Sequence, residues 1–135
     1  MNILMVAAEN GALPGGKVGG MGDVIRDIPA ALTELGHRVD VVMPGYQHFS
    51  KLPGALWQSS LEVRFGRALH RVDVFLLEQT GEGGTVRCWV LEHALFAPNK
   101  AGEIYCNDPP QRPFATDASK FALFSAAVCE ALLQN

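Results

Sequence analysis

From Glu9 to Asp23 the chain reads ENGALPGGKVGGMGD, with six glycines, one proline and one lysine between an apolar run and an amphipathic one. A glycine-rich turn between a strand and a helix gathers unpaired backbone N–H groups and the positive helix end at one point, where an anion binds well. Lys17 adds an ammonium group there, and so many glycines mark either a tight turn or a partner that comes close to the backbone, with the embedded lysine favouring the partner. The carboxylates that bracket the stretch have two readings each. Glu9 follows the first apolar run, where open α/β sheets hold ligands, and either meets ligand hydroxyls or pairs with Lys17. Asp23 stands at the start of the next helix and either caps its exposed N–H groups or touches the ligand.

Two common glycine-loop chemistries fit poorly. Gly11, Gly16 and Lys17 satisfy the G-x-x-x-x-G-K pattern of nucleotide hydrolases, but Val18 has no hydroxyl for a magnesium ion. Gly19, Gly20 and Gly22 also delay the helix that this lysine should open. Gly20 and Gly22 begin a G-x-G-x-x-G dinucleotide pattern, yet Ile25 occupies the third glycine position. The next strand then ends in VVMPGY, without the acidic residue that would hold a ribose, and Asp40 lies inside that strand.

The elements around the loop alternate between strand and helix. NILMVAA (2–8) is a continuous apolar run, which predicts a first, central strand buried on both faces of a parallel sheet. Met21, Val24, Ile25, Ile28, Ala31, Leu32 and Leu35 recur at helical spacing and predict one apolar stripe, stopped by Gly36 and bent but not broken at Pro29. HRVDVVMP (37–44) completes a β-α-β unit with a right-handed crossover. WQSSLEVRF, HRVDVFLLE and TVRCWVLE predict antiparallel or mixed strands, the last two joined by a TGEGG hairpin turn. After a loop with four prolines (94–115), a final helix carries Phe121, Phe124, Val128 and Leu132 on one face, with Thr116 or Asp117 as N-cap. Its apolar pattern still runs at Leu133, two residues from the last position, and predicts a fragment of a longer chain.

At 135 residues the chain suits one ordinary core. Eleven basic against 14 acidic residues give a net charge of −3, so no field is available to hold nucleic acid. Cys88, Cys106 and Cys129, 18 and 23 positions apart, suit neither a zinc pair nor a disulfide framework and point to reduced thiols. The apolar start lacks a basic flank and meets Glu9 after eight residues, which argues against a signal or membrane span and favours the cytoplasm.

Lys17-Val18-Gly19-Gly20, followed by Met21, Gly22, Asp23 and Val24, resembles the K-x-G-G-[LM]-[AG]-D-V opening of bacterial glycogen synthases and starch synthases. IPAALTELGHRVDVVMPGY is similar to that family's helix and second strand, Pro29 included. EHALFAPNKAGEIY resembles its histidine, Leu-Phe and Gly-x-x-Tyr stretch, and ATDASKFALFSAAVCEAL its Asp-Asn, basic, Phe-containing helix. The chain departs from the pattern in a Glu9–Lys17 spacing two positions longer than usual, with Gly15 and Gly16 as the insertion, and in Ala118 and Lys120 in place of asparagine and arginine. It therefore looks like the N-terminal fragment of a divergent member.

The resemblance implies the Rossmann-like N-terminal half of a two-domain GT-B glycosyltransferase, with a β-hairpin region after the first β-α-β unit. Residues 1–135 would be the N-terminal part of the catalytic domain, with the C-terminal nucleotide-binding domain in the remainder of its own chain. The implied reaction moves glucose from ADP-glucose, or a related nucleotide sugar, to the non-reducing end of an α-1,4-glucan with retention, without metal or cofactor. In that reading Lys17, Gly19 and Gly20 meet phosphate or sugar oxygens and Glu9 meets the acceptor. Asp23 caps the helix or touches the ligand, and His93 is either packed or in contact with glycan. His37, His48 and His70 carry no signal, and no residue of the fragment is assigned a catalytic role. The fragment alone is expected to be inactive. The competing class is a non-catalytic phosphate- or glycan-binding α/β module.

Overall fold

The computed structural model describes residues 1–134. Strand β1 (Asn2–Val6), helix α1 (Gly20–Glu34) and strand β2 (Arg38–Pro44) form the expected β-α-β unit, with β1 and β2 parallel. Strands β3 (Leu56–Phe65), β4 (Ala68–Gly81) and β5 (Gly84–Glu92) form an antiparallel meander, and helix α2 (Ala115–Leu133) closes the described chain. Single 3-10 turns lie at Phe49–Lys51 and Ala94–Phe96. The β4–β5 turn reduces to Glu82 and Gly83, inside the glycine-rich segment.

All five strands join one mixed sheet in the order β1-β2-β5-β4-β3, with β5 parallel to β2. This corrects the placement of β1, which is the edge strand of the described sheet and not its centre. Leu4 and Val6 on it are 38% and 52% exposed. The central position belongs to β5, and a polar clasp sets its register. The Asp40 carboxylate on β2 accepts hydrogen bonds from the Arg87 guanidinium and the Trp89 indole of β5 at 2.9 Å each. Partial burial pushes the Asp40 carboxyl up, but those two donors outweigh it and hold the group below the usual carboxylate range. Asp40 thus secures a strand pair.

Helix α1 packs on β2 and β5 and runs unbroken through Pro29. Its buried row is Gly22, Ile25, Pro29 and Thr33, while Met21, Val24, Ile28 and Leu35 of the predicted stripe are 44–72% exposed. The apolar band is wider than the contact it makes, because the helix lies over β2 and β5 and leaves the flank with Val24 and Ile28 uncovered in the described chain. The stop at Gly36 is as expected. Gly36 takes φ +86°, its N–H donates to the Thr33 carbonyl and that of His37 to Leu32, which closes the last turn.

Helix α2 begins differently from the expectation. Phe114, in the left-handed region at φ 62°, precedes it, and Thr116 and Asp117 lie inside the first turn. The capping oxygens come from Asp108 in the preceding loop, which accepts from the Thr116 N–H and hydroxyl. The buried face is Asp117, Lys120, Leu123, Phe124, Ala127 and Val128, with Leu132 57% exposed, so the helix turns two charged residues inward. Among the described residues no helix is long and apolar enough to cross a membrane.

Candidate functional site

The glycine loop leaves the C-terminal end of β1 and returns to start α1, beside the turn that follows β2 and the segment around Tyr105. Its backbone is bonded largely to itself. Asn10 N–H donates to the Gly16 carbonyl, Gly16 N–H to Leu13 and Gly11 N–H to Gly22. The Asn10 side chain accepts from Ala12 N–H and sends its amide toward the Cys88 sulfur, whose thiol burial pushes up to about 12.

The six glycines divide into two kinds. A Cβ at Gly16 would stand 2.1 Å from the Asn10 carbonyl oxygen, at Gly11 2.6 Å from that of Gly22, and at Gly22 2.9 Å from the Lys17 side chain. Gly15 takes φ +78°, a left-handed position that suits glycine, so the apparent insertion closes a tight turn. These four serve the loop's own packing and geometry. Gly19 and Gly20 alone face open space, with nothing within 4 Å of an added Cβ. The absence of side chains there keeps the approach to the helix start clear.

Glu9 is 4% exposed, and its carboxylate occupies the inner side of that start. Oε1 accepts from the N–H groups of Val18 and Gly19 at 2.8 Å each, and Oε2 accepts from the Tyr105 hydroxyl at 2.6 Å. Burial pushes this carboxyl up, yet the donors at Gly19, Tyr105 and Val18 together hold it below its ordinary range. Tyr105 responds in the opposite sense: burial, then its bond to the Glu9 anion, push its hydroxyl pKa up. Of the two expectations for Glu9, pairing with Lys17 is not observed. The N–H groups of Val18 and Gly19 go to Glu9 and that of Gly22 to the Gly19 carbonyl. The donor capacity that remains at the helix start is that of Gly20 and Met21.

Lys17 lies on the outside of the loop, its side chain 50% exposed and its ammonium 2.9 Å from Asp23 Oδ1. Asp23 also meets Arg26 at 3.1 Å and makes no capping bond to the helix start, which corrects the capping assignment. The cap position is Gly19, whose own amide, with that of Val18, goes to Glu9, while the Asp23 carboxylate pairs with cations. An exposed ion pair of this kind contributes only about 0–1 kcal/mol, so the lysine is readily released to a stronger anion.

His93 belongs to a different cluster. It follows β5, accepts from Leu95 N–H at Nδ1, and places Nε2 3.1 Å from Nδ1 of His70. With Nδ1 accepting, the neutral ring carries its proton on Nε2 and donates it to His70. Partial burial and then His70 push the His93 pKa down, so it favours that neutral form. His93, Glu92, Gln47, Ser50, Arg71, Asp73 and Phe75 line an open groove of about 410 Å³. The structure therefore brings Glu9, Gly19 and Gly20 together with Lys17 and Asp23, and sets His93 apart with His70, for which the sequence offered no signal.

The sequence reading assigned no site role to Tyr105, Tyr46 or Lys120, and took Asp117 only as a possible helix cap. Tyr46 is fully buried and donates its hydroxyl to the Ala8 carbonyl at 2.6 Å, one residue before Glu9. Tyr46 and Gln47 take φ values of 52° and 56°, a costly backbone for residues with side chains. Buried Glu92 sustains it by accepting from Gln47 N–H and the Ser50 hydroxyl, and burial pushes the Glu92 carboxyl up. PGY marked a turn in the sequence, and nothing local marked its inward hydroxyl. Among the described residues no group of three or more His, Cys, Asp or Glu side chains is placed to hold a metal ion.

Comparison with known proteins gives consistent matches. The family described as starch synthase catalytic domain matches residues 2–135. The glycogen synthase of Gloeobacter violaceus is 33% identical over 132 residues, covering 98% of this chain and 25% of that protein. Glycogen synthase 2 of Geobacter metallireducens is 33% identical over 134 residues, covering 98% and 26%. Among solved structures, the catalytic domain of starch synthase IV from Arabidopsis thaliana, bound to ADP and acarbose, superposes with a TM-score of 0.70 at 28% identity over 98% of this chain and 25% of that one. The chain thus spans about a quarter of the length of these relatives.

Two outcomes test the site's architecture. Gly16→Ala, driven into the Asn10 carbonyl, is expected to cost about 2–3 kcal/mol, whereas Gly20→Ala stays within about 0.5 kcal/mol. Thermal unfolding ranks the two, and equal losses would mean that Gly20 is packed as well. Glu9→Gln is expected to cost about 1–3 kcal/mol at neutral pH. Because the folded-state pKa of Glu9 is lowered, its contribution is present above about pH 4.5 and disappears as pH falls through the lowered value. Urea unfolding of both chains from about pH 7 to pH 3 should show the gap closing on the acid side. A gap unchanged at the acid end would contradict the anchoring role.

Proposed function

The chain belongs to the starch synthase catalytic-domain family, and on that premise we propose that residues 1–135 are the N-terminal part of a retaining glucosyltransferase. The full-length protein transfers glucose from ADP-glucose to the 4-hydroxyl at the non-reducing end of an α-1,4-glucan. The observation that carries this reading is the open approach over Gly19 and Gly20, beside a half-exposed Lys17 held only by a surface carboxylate. The ADP and acarbose in the Arabidopsis structure support a nucleotide sugar and a glucan as the partners.

In this reaction the bond from the glucose anomeric carbon to the diphosphate breaks, negative charge collects on the leaving diphosphate, and the anomeric carbon bonds to the acceptor oxygen, whose hydroxyl proton passes to the departing diphosphate. Fixed positive charge and preorganised donors near the diphosphate lower that barrier. Lys17 exchanges Asp23 for the phosphate, and the amides of Gly20 and Met21 add donors at the positive helix end. Glu9, already bonded by two amides and a tyrosine, fixes the loop and does not leave it for the acceptor. His93 faces the separate groove and takes a glycan contact only there.

The remainder of the chain supplies the second domain and the other wall of the cleft. The uncovered edge of β1 and the flank of α1, with Leu4, Val6, Val24 and Ile28 exposed, form the apolar face that it covers. The three free cysteines fit a reducing compartment, the cytoplasm.

Incubating the full-length protein with ADP-glucose and a short maltooligosaccharide is expected to lengthen the oligosaccharide by single glucose units. No transfer from either ADP-glucose or UDP-glucose would defeat the proposal. Lys17→Ala should lower kcat/KM about ten- to a thousand-fold with the fold intact. Unchanged kinetics would remove Lys17 from the donor site.

A further inference from the structure

Lys120 is a buried cation for which the proposed reaction has no direct use. It is 1% exposed on the inward face of α2, where a charge is costly unless fully paired. Its ammonium donates to the Ile104 carbonyl at 2.6 Å and to Asp117 Oδ1 at 2.9 Å, and lies 5.4 Å and 5.2 Å from the ring centres of Tyr46 and Phe121. Asp117 in turn accepts the N–H of Cys106 at 3.0 Å. The ion pair therefore grips the chain on both sides of Tyr105.

Both tyrosines beside this pair point their hydroxyls at the same place. Tyr105 donates to Glu9 Oε2 and Tyr46 to the carbonyl of Ala8, so neighbouring residues at the end of β1 are held from two directions. An apolar residue of similar volume would fill the position of Lys120 without the cost of burying a charge, and would lose the bond to Ile104. We infer that Lys120, with Asp117, is a positioning residue that sets Tyr105 and Tyr46 against the end of β1 and thereby holds Glu9 and the glycine loop in register for the donor. Its effect on turnover rests on the glucosyltransferase reading, and its effect on the loop does not.

Hydrogen exchange and kinetics on the full-length protein test this together. Lys120→Met is expected to speed amide exchange across residues 17–23 by about ten-fold or more, while β2 and β5 keep their protection. It should also lower kcat/KM for the sugar nucleotide about ten- to a hundred-fold. Lys120→Arg, which keeps the charge and the donors, should restore both. Lys120→Met combined with Asp117→Asn repeats the comparison without an unpartnered charge in the core. Tyr105→Phe should loosen the same segment, and adding it to Lys120→Met should change the rate by less than about three-fold, because both act along one chain of contacts. Wild-type exchange across 17–23, loss of protection spread through β2 and β5, or no rescue by arginine would overturn the inference. Exchange is read without substrate, so a protein that transfers no glucose would defeat the activity and still leave the role of Lys120 decided.

Discussion

The buried carboxylate of Glu9 joins the end of the first strand to the start of the first helix, and the geometry of the loop follows from it. Two amide donors and one phenol donor converge on it. Hydrogen bonds to a charged group contribute about 1.5–3 kcal/mol each, enough to outweigh the burial of one anion. The positive end of α1 is thus partly neutralised from inside the chain. What stays open is the outer side, where Gly19 and Gly20 carry no side chain and Lys17 is tied only to Asp23, and there the proposed reading seats the donor phosphate. An internal anion bonded to the loop ahead of any ligand is the kind of preorganisation that charge stabilisation in the proposed transfer would use.

This arrangement draws on parts far apart in sequence. Tyr105 reaches Glu9 across 96 positions and Tyr46 reaches Ala8 across 38. The mixed sheet makes such reach short in space. By placing β5 beside β2, it brings the turn after β2 next to Glu92 at the end of β5, which steadies the left-handed Tyr46 and Gln47. The antiparallel meander widens the sheet, and α2 packs across β3 with its ion pair turned inward.

The local features were legible in the sequence because local patterns determine them. The β-α-β unit, the stop at Gly36, the passage of α1 through Pro29 and the hairpin at 80–84 all follow from apolar spacing and turn residues. Position within the sheet was not legible. A continuous apolar run such as 2–8 shows that a strand is apolar and says nothing of which strand lies beside it, so β1 was expected at the centre and stands at the edge of the described sheet. The same limit applied to α1, whose stripe is broader than its contact, and to Asp117, whose type suits an N-cap but whose partner is Cys106. Six glycines announced a close approach without separating those that admit the loop's own carbonyls from the two that face outward.

The most direct test is a structure of the full-length protein with ADP bound. If Glu9 is the fixed internal anchor, its carboxylate will still accept from Val18 and Gly19, and the Lys17 ammonium will have moved from Asp23 to the diphosphate. A diphosphate seated on the Val18 and Gly19 amides, with Glu9 displaced, would contradict the account.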